Sequence, residues 1–171
     1  SETCIAVESL SASKTGALIV FERGTKLGDY IRTGVVIDAV PTSFLFGNIF
    51  FNKAPLHDGA AIIRNGRIHA AGCFLPFPTN NELAKELGAR HRAAIGLSEN
   101  SDAVTIVVSE ENGVISVAMD GKLRRGFSRK TLEEYLESIL IVEDKKAITD
   151  RVRGRFPFTR KGNGDKGEKN N

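Results

Sequence analysis

Cysteine is scarce in this chain, and its two examples, Cys4 and Cys73, lie far apart. Two thiols at that spacing make no C-x-x-C pair, so neither a zinc ribbon nor a disulfide framework organises the fold. Cys73 falls in the apolar stretch Ala70–Leu75, where a small buried thiol is the simplest reading and a reducing compartment is expected. No apolar run reaches the ~18–20 residues of a membrane span, and no signal peptide is visible. Charge of one sign is also lacking: 24 Lys+Arg against 21 Asp+Glu leave +3. That is too little to argue for nucleic acid, and much of the basic excess sits after Ala147. There is no internal repeat, no G-x-x-x-x-G-K-[ST] and no G-x-G-x-x-G after a strand, which excludes the two commonest glycine-rich phosphate cradles.

What is present is enough for one domain with a real core: 171 residues, 41% of them hydrophobic. Glu2–Ala12 reads as a short helix and Gly16–Glu22 as a buried strand. Thr42–Phe51 is apolar and aromatic near helical spacing. Ala60–Arg64 and Arg67–Leu75 flank Asn65-Gly66, a pair that tolerates the positive φ of a hairpin turn. Asn81–Leu87 looks helical and stops at Gly88, with a second helix from Ala89 to about Leu97. Ala103–Ser109 and Val114–Met119 form a second hairpin around Asn112-Gly113. Thr131-Leu132-Glu133-Glu134 fits a capping box opening a helix to about Val142. Hairpin strands interleaved with helices, without β-α-β regularity, predict an α+β or mixed α/β fold: a single domain with a central mixed β-sheet covered by helices. Residues 1–150 are assigned to that domain and 151–171 to a disordered basic tail.

Two polar islands carry the chemistry. His57-Asp58-Gly59-Ala60 puts a carboxylate beside a glycine turn, at the mouth of the small apolar run Ala60–Ile63, with Pro55 fixing the approach. Asp-Gly is also a common turn signal in its own right. Gly88-Ala89-Arg90-His91-Arg92 puts two guanidiniums and an imidazole at a helix start, where unpaired N–H groups favour anions. Planar guanidiniums suit phosphate oxygens, and an anion would relieve the repulsion between these cations and the helix dipole. A solvated basic patch is the plain alternative. Ser109-Glu110-Glu111-Asn112 ends an apolar strand, either as a polar turn or as a place where Ser109 bonds phosphate and Glu111 contacts a metal or ligand. His69 reads as structural, and Lys122, Arg124 and Arg125 as a loop patch.

Taken together, Lys14-Thr15-Gly16-Ala17-Leu18-Ile19-Val20, Pro55-Leu56-His57-Asp58-Gly59-Ala60, Arg90-His91-Arg92-Ala93-Ala94 and Val107-Val108-Ser109-Glu110-Glu111 resemble, in order and spacing, the bacterial diadenylate cyclase domain, especially its membrane-anchored CdaA type. The resemblance spans about Glu2 to Val142. It implies condensation of two ATP into cyclic di-AMP with release of two pyrophosphates, by two subunits meeting face to face. It implies catalytic roles for Asp58, Gly59, Ala60, Arg90, His91 and Arg92. ATP is expected at Gly59, Leu75, Ala89, Arg90, His91, Arg92, Ser109 and Glu111, and Mg²⁺ or Mn²⁺ at Asp58 with His57. It implies a cytoplasmic domain on a protein anchored by N-terminal helices that precede this chain, which opens on Ser1 straight into helix-like sequence. A membrane regulator and phosphoglucosamine mutase are its implied partners, and nucleic acid is not.

One position departs from the family, which usually has Thr where this chain has Ala89. A lost charge-assisted hydroxyl–phosphate bond is worth roughly 1.5–3 kcal/mol, or ~10–100-fold in binding. Two rival readings follow: a nucleotide sensor that keeps the pocket without turnover, and a polyanion-binding module using the tail and Arg124-Arg125.

Overall fold

Seven strands form one mixed sheet in the order β2-β4-β3-β1-β5-β6-β7. The structure, a computed structural model, describes residues 1–79 and 86–141. The strands are β1 Ala17–Phe21, β2 Val35–Ala39, β3 Ala60–Arg64, β4 Arg67–Cys73, β5 Val104–Val108, β6 Ile115–Met119 and β7 Lys122–Phe127. The helices are α1 Glu2–Ala12, α2 Gly28–Ile31, α3 Ser43–Phe50 and α4 Ala89–Asn100. The result is a mixed α/β architecture with a central sheet flanked by helices.

β1 lies at the centre, parallel to β3 and antiparallel to β5. These three strands read as nearly unbroken Val, Ile, Ala and Leu because both faces are covered. On one face Leu18, Val20, Ile62 and Val107 meet Ala94 and Leu97 of α4 and Leu27 and Ile31 around α2. The alternate residues Ala17, Ile19, Ile106 and Val108 are equally buried on the other face, where α1 packs on β5 and α3. Full burial of a Val or Ile side chain is worth about 1.5–3 kcal/mol, so this tricolour of strands is the rigid part of the molecule.

Local signals account for the joints. Asn65 and Gly66 both take positive φ between β3 and β4, as expected for the hairpin. Gly113 does the same between β5 and β6. The expected strand 67–75 stops at Cys73, and the helix at 89 runs on to Asn100, capped past its end by the Ser101 hydroxyl on Leu97 O at 2.9 Å. The last capping box is shifted: Thr131 is its inner partner and not its start. Ser128 N donates to Thr131 Oγ1 at 2.9 Å while Thr131 N donates to Ser128 Oγ at 3.2 Å, and the helix opens at residue 129. The chain divides into two units, Ser1–Glu133 and Glu134–Asn171, and the described part of the second, 134–141, is helical. Most of the helix expected over 81–87 lies outside the described residues, with 86–87 in a turn, as does the tail expected over 151–171.

Both cysteines are free and buried, and burial pushes the Cys73 thiol up to about 11. Among the described residues, no helix is long and apolar enough to cross a membrane.

Candidate active site

Strand register gathers the polar islands at one end of the sheet. Ile19 pairs with Ala61 in the parallel β1–β3 ladder, and Ala17 pairs with Val108 in the antiparallel β1–β5 ladder. Gly16 therefore opens β1 next to the start of the Ser109 turn, where Glu110 Cβ is 3.1 Å from a Cβ built on it, while Asp58 lies two residues before β3 begins at Ala60, with Gly59 at φ +120 between them. Ala60 pairs with Cys73, which brings Leu75 to the same end.

Helix α4 delivers its N-terminus there. Its N-cap is Gly88, which has no side chain to cap the first N–H groups, and these face a cleft lined by 86–91, 108–112 and Arg125. Ala89, Arg90, His91, Ser109 and Glu111 all line this cleft. The Arg90 Nη1 donates to Glu110 Oε2 at 2.8 Å. Its guanidinium lies against Gly16, where a Cβ would come within 2.5 Å of Nη1 and 2.7 Å of Cζ. A glycine at the mouth of β1 is therefore what lets Arg90 lie across the strand end.

His91 is only 6% exposed, and its Nε2 has no hydrogen-bond partner. Burial pushes its pKa below the usual 6.5, the Arg125 charge pushes the same way, and Glu111 opposes both. At neutral pH the ring is uncharged. Ser109 is buried at the end of β5, with Oγ accepting from Glu111 N at 3.3 Å and its proton free for a ligand.

Arg90 and Arg92, expected to reach one ligand, diverge. Two residues apart on a helix means about 200° of rotation, so they do not share a face. Arg92 instead stacks its guanidinium carbon 4.9 Å from the centre of the Phe77 ring. The same 76–79 segment is held by Thr79 N donating to Glu99 Oε2 at 3.0 Å. It sits so close to α4 that a Cβ on Gly96 would be 2.2 Å from Pro76 O.

Gly59 adopts φ +120, and a Cβ there would lie 2.7 Å from the Gly72 carbonyl carbon and 2.9 Å from Cys73 O. The glycine beside Asp58 is required by close packing of the β3 and β4 backbones, whatever ligand approaches it. Asp58 is exposed, and among the described residues its carboxylate has no hydrogen-bond partner. His57 is half-buried with Nδ1 2.7 Å from Ala54 O, which leaves Nε2 as the free nitrogen.

Among the described residues, no group of three His, Cys, Asp or Glu stands ready to hold a metal. The donors suit a different arrangement. A hard divalent ion commonly takes one or two protein carboxylates and completes its shell with phosphate oxygens and water, and Asp58 is a free carboxylate of that kind. The cleft itself sets Arg90 and Arg125 against Glu86, Glu110 and Glu111, so its carboxylates outnumber its guanidiniums. A free carboxylate such as Asp58 fits a hard divalent cation that takes few protein ligands.

Three residues of this end were not assigned a site role from sequence: Gly16, Glu110 and Arg125. Gly16 carried a signal, a glycine opening a fully buried strand. Glu110 meets its partner across twenty residues of chain, and Arg125 enters from β7 at the sheet edge. Glu110 sat in the Ser109-Glu110-Glu111 motif without a role of its own, and no local pattern tied Arg125 to this cleft.

Comparison with known proteins shows the family. The family described as DisA bacterial checkpoint controller nucleotide-binding, abbreviated DAC, matches residues 4–123. The chain belongs to the diadenylate cyclase (DAC) domain family. It is 45% identical over 159 residues to the cyclic di-AMP synthase CdaA of Bacillus subtilis, covering 93% of this chain and 57% of that protein. It is 50% identical over 118 residues to the diadenylate cyclase CdaS of Bacillus thuringiensis, covering 69% of this chain and 59% of that one. The chain thus spans a little over half the length of these two relatives. The crystal structure of a double mutant of DacA from Staphylococcus aureus superposes with a TM-score of 0.77 at 47% identity, covering 80% of this chain and 91% of that one.

Proposed function

We propose that this DAC domain is the catalytic part of a diadenylate cyclase of the CdaA type. Two ATP molecules react: the 3′-oxygen of each attacks the α-phosphorus of the other. A P–O bond forms as the bond to pyrophosphate breaks, so cyclic di-AMP, two pyrophosphates and two protons leave. Each nucleotide supplies both an attacking oxygen and a phosphorus under attack, so two subunits, each holding one ATP, must meet face to face. The observation that supports this reading is Arg90 lying across Gly16 in the cleft that Ser109 and the start of α4 line.

In this reading the cleft at the start of α4 seats the polyphosphate. Arg90 and the free first-turn N–H groups neutralise and orient it, Ser109 donates its hydroxyl, and neutral His91 offers its unpartnered Nε2 side. Charge builds on the leaving pyrophosphate, so these groups act where positioning and electrostatics count most. Gly59 and Leu75 flank the nucleoside, Ala60 anchors the Asp58 turn in β3, and Arg92 braces the 76–79 segment. Asp58 accepts the hydrogen bond of the ribose 3′-hydroxyl and orients its oxygen. A carboxylate alone is too weak a base to ionise a sugar hydroxyl. When bound, Mg²⁺ or Mn²⁺ supplies the acidity that hydroxyl lacks and offsets triphosphate charge, with Asp58, and His57 beside it, as protein ligands. The full-length protein is then anchored by helices preceding this chain, with this domain on the cytoplasmic side.

The test is incubation of the protein with ATP and Mn²⁺, followed by mass spectrometry of the products. Cyclic di-AMP is expected, and it should vanish in Asp58→Asn with the fold intact. A folded, ATP-binding protein that makes none of it overturns the proposal. That outcome favours a sensor without turnover, for which Ala89, lacking a hydroxyl at the first turn of α4, is the specific motive.

A further inference from the structure

We propose that Glu110 is a tethered competitor for the anion seat on Arg90, exchanged for a phosphate oxygen when nucleotide binds and returning as pyrophosphate leaves. The proposal rests on the reading of the α4 cleft as a polyphosphate seat.

The two members of the pair differ in freedom. The Arg90 side chain is 20% exposed, wedged over Gly16, with its Nε buried and unpartnered. The Glu110 side chain is 66% exposed, and its contact with Arg90 Nη1 at 2.8 Å is the only bond it makes among the described residues. The guanidinium is thus the more enclosed partner and the carboxylate the more solvent-exposed one.

Glu110 occupies one of the N–H groups on Nη1 and offsets part of the guanidinium charge, so a phosphate binding the remaining donors meets a competing anion. A half-exposed ion pair is easily broken, contributing a factor of about two to five. Glu110 follows Ser109 directly, and Ser109 is pinned by its N–H on Val114 O at 3.1 Å. The carboxylate therefore stays within reach of Arg90 after any exchange. A competitor of this strength lowers affinity modestly and favours departure of the product anion.

The experiment titrates pyrophosphate, and separately a non-hydrolysable ATP analogue with Mg²⁺, into the full chain by calorimetry. Glu110→Gln removes the charge and keeps the shape. Glu86→Gln, at another carboxylate of the same cleft that makes no ion pair with Arg90, controls for the general field. Glu110→Gln is expected to tighten both ligands about two- to fivefold, and Glu86→Gln to change neither by as much. Unchanged or weaker binding in Glu110→Gln overturns the proposal, as does equal tightening in Glu86→Gln. Wild-type protein that binds neither ligand overturns the reading of the cleft itself and this proposal with it. Thermal melts of both variants matching wild type establish that the fold is intact.

Discussion

Arg90 and Arg92 leave the first turn of α4 on opposite sides: one reaches Glu110 at 2.8 Å, and the other covers the Phe77 ring at 4.9 Å. Identical side chains two residues apart thus have different work. Arg90→Ala should weaken ATP binding ~10–100-fold, the range for a lost charge-assisted bond, with little change in the urea midpoint. Arg92→Ala should cost about 1 kcal/mol of stability through the lost cation–π contact while pyrophosphate binding stays near wild type. Calorimetry and urea unfolding on the two variants check the split, and equal loss of pyrophosphate binding contradicts it.

Gly16→Ala tests how Arg90 is held. Gly16 has no positive φ, so alanine fits the backbone; the Arg90 guanidinium must move, and Glu110 Cβ, at 3.1 Å, must give by a few tenths of an ångström. The variant should fold normally and lose up to about a hundredfold in kcat/KM, since an ångström of misplacement in a positioning group can cost about that much. Steady-state kinetics with a thermal melt check it.

Much of this end of the molecule was legible beforehand. Asn65-Gly66 and Asn112-Gly113 marked two hairpins because each demands a backbone that few other pairs accept. The unbroken apolar runs in β1, β3 and β5 announced strands buried on both faces. The edges were not legible. β2 is exposed at Val35 and Val36 (53% and 63%), and β7, KLRRGF, reads as a basic patch because only one edge of each strand is paired. The turn that would have revealed β7 is Asp120-Gly121, both at positive φ, an Asp-Gly pair where Asn-Gly had been the signal. The divergence of Arg90 and Arg92 follows from helix geometry alone, once the helix is known to start at Ala89.

Ala89 is exposed at the first helical position, with room for a hydroxyl toward the cleft. Ala89→Thr, restoring the residue usual in related domains, should tighten ATP binding ~10-fold or more, given roughly 1.5–3 kcal/mol for a charge-assisted bond. Calorimetry with a non-hydrolysable analogue reads this directly, and unchanged affinity contradicts it.

His91 gives a pH dependence of defined sign. Burial first, and Arg125 second, hold its folded pKa below 6.5. Above that value both folded and unfolded rings are neutral, and its contribution is fully present. As pH falls below 6.5 the unfolded ring takes up a proton that the folded one refuses, so stability declines until the folded pKa is passed. The urea midpoint of wild type should therefore fall more between pH 8 and pH 5 than that of His91→Asn. Parallel profiles contradict the assignment.

The most direct measurement is a crystal structure of the chain with a non-hydrolysable ATP analogue and Mg²⁺. One nucleotide is expected to run along the end of the sheet, its phosphates on Arg90, the α4 N–H groups and Ser109, and its ribose at Asp58. Phosphates bound away from Arg90, or a ribose out of reach of Asp58, contradict the account.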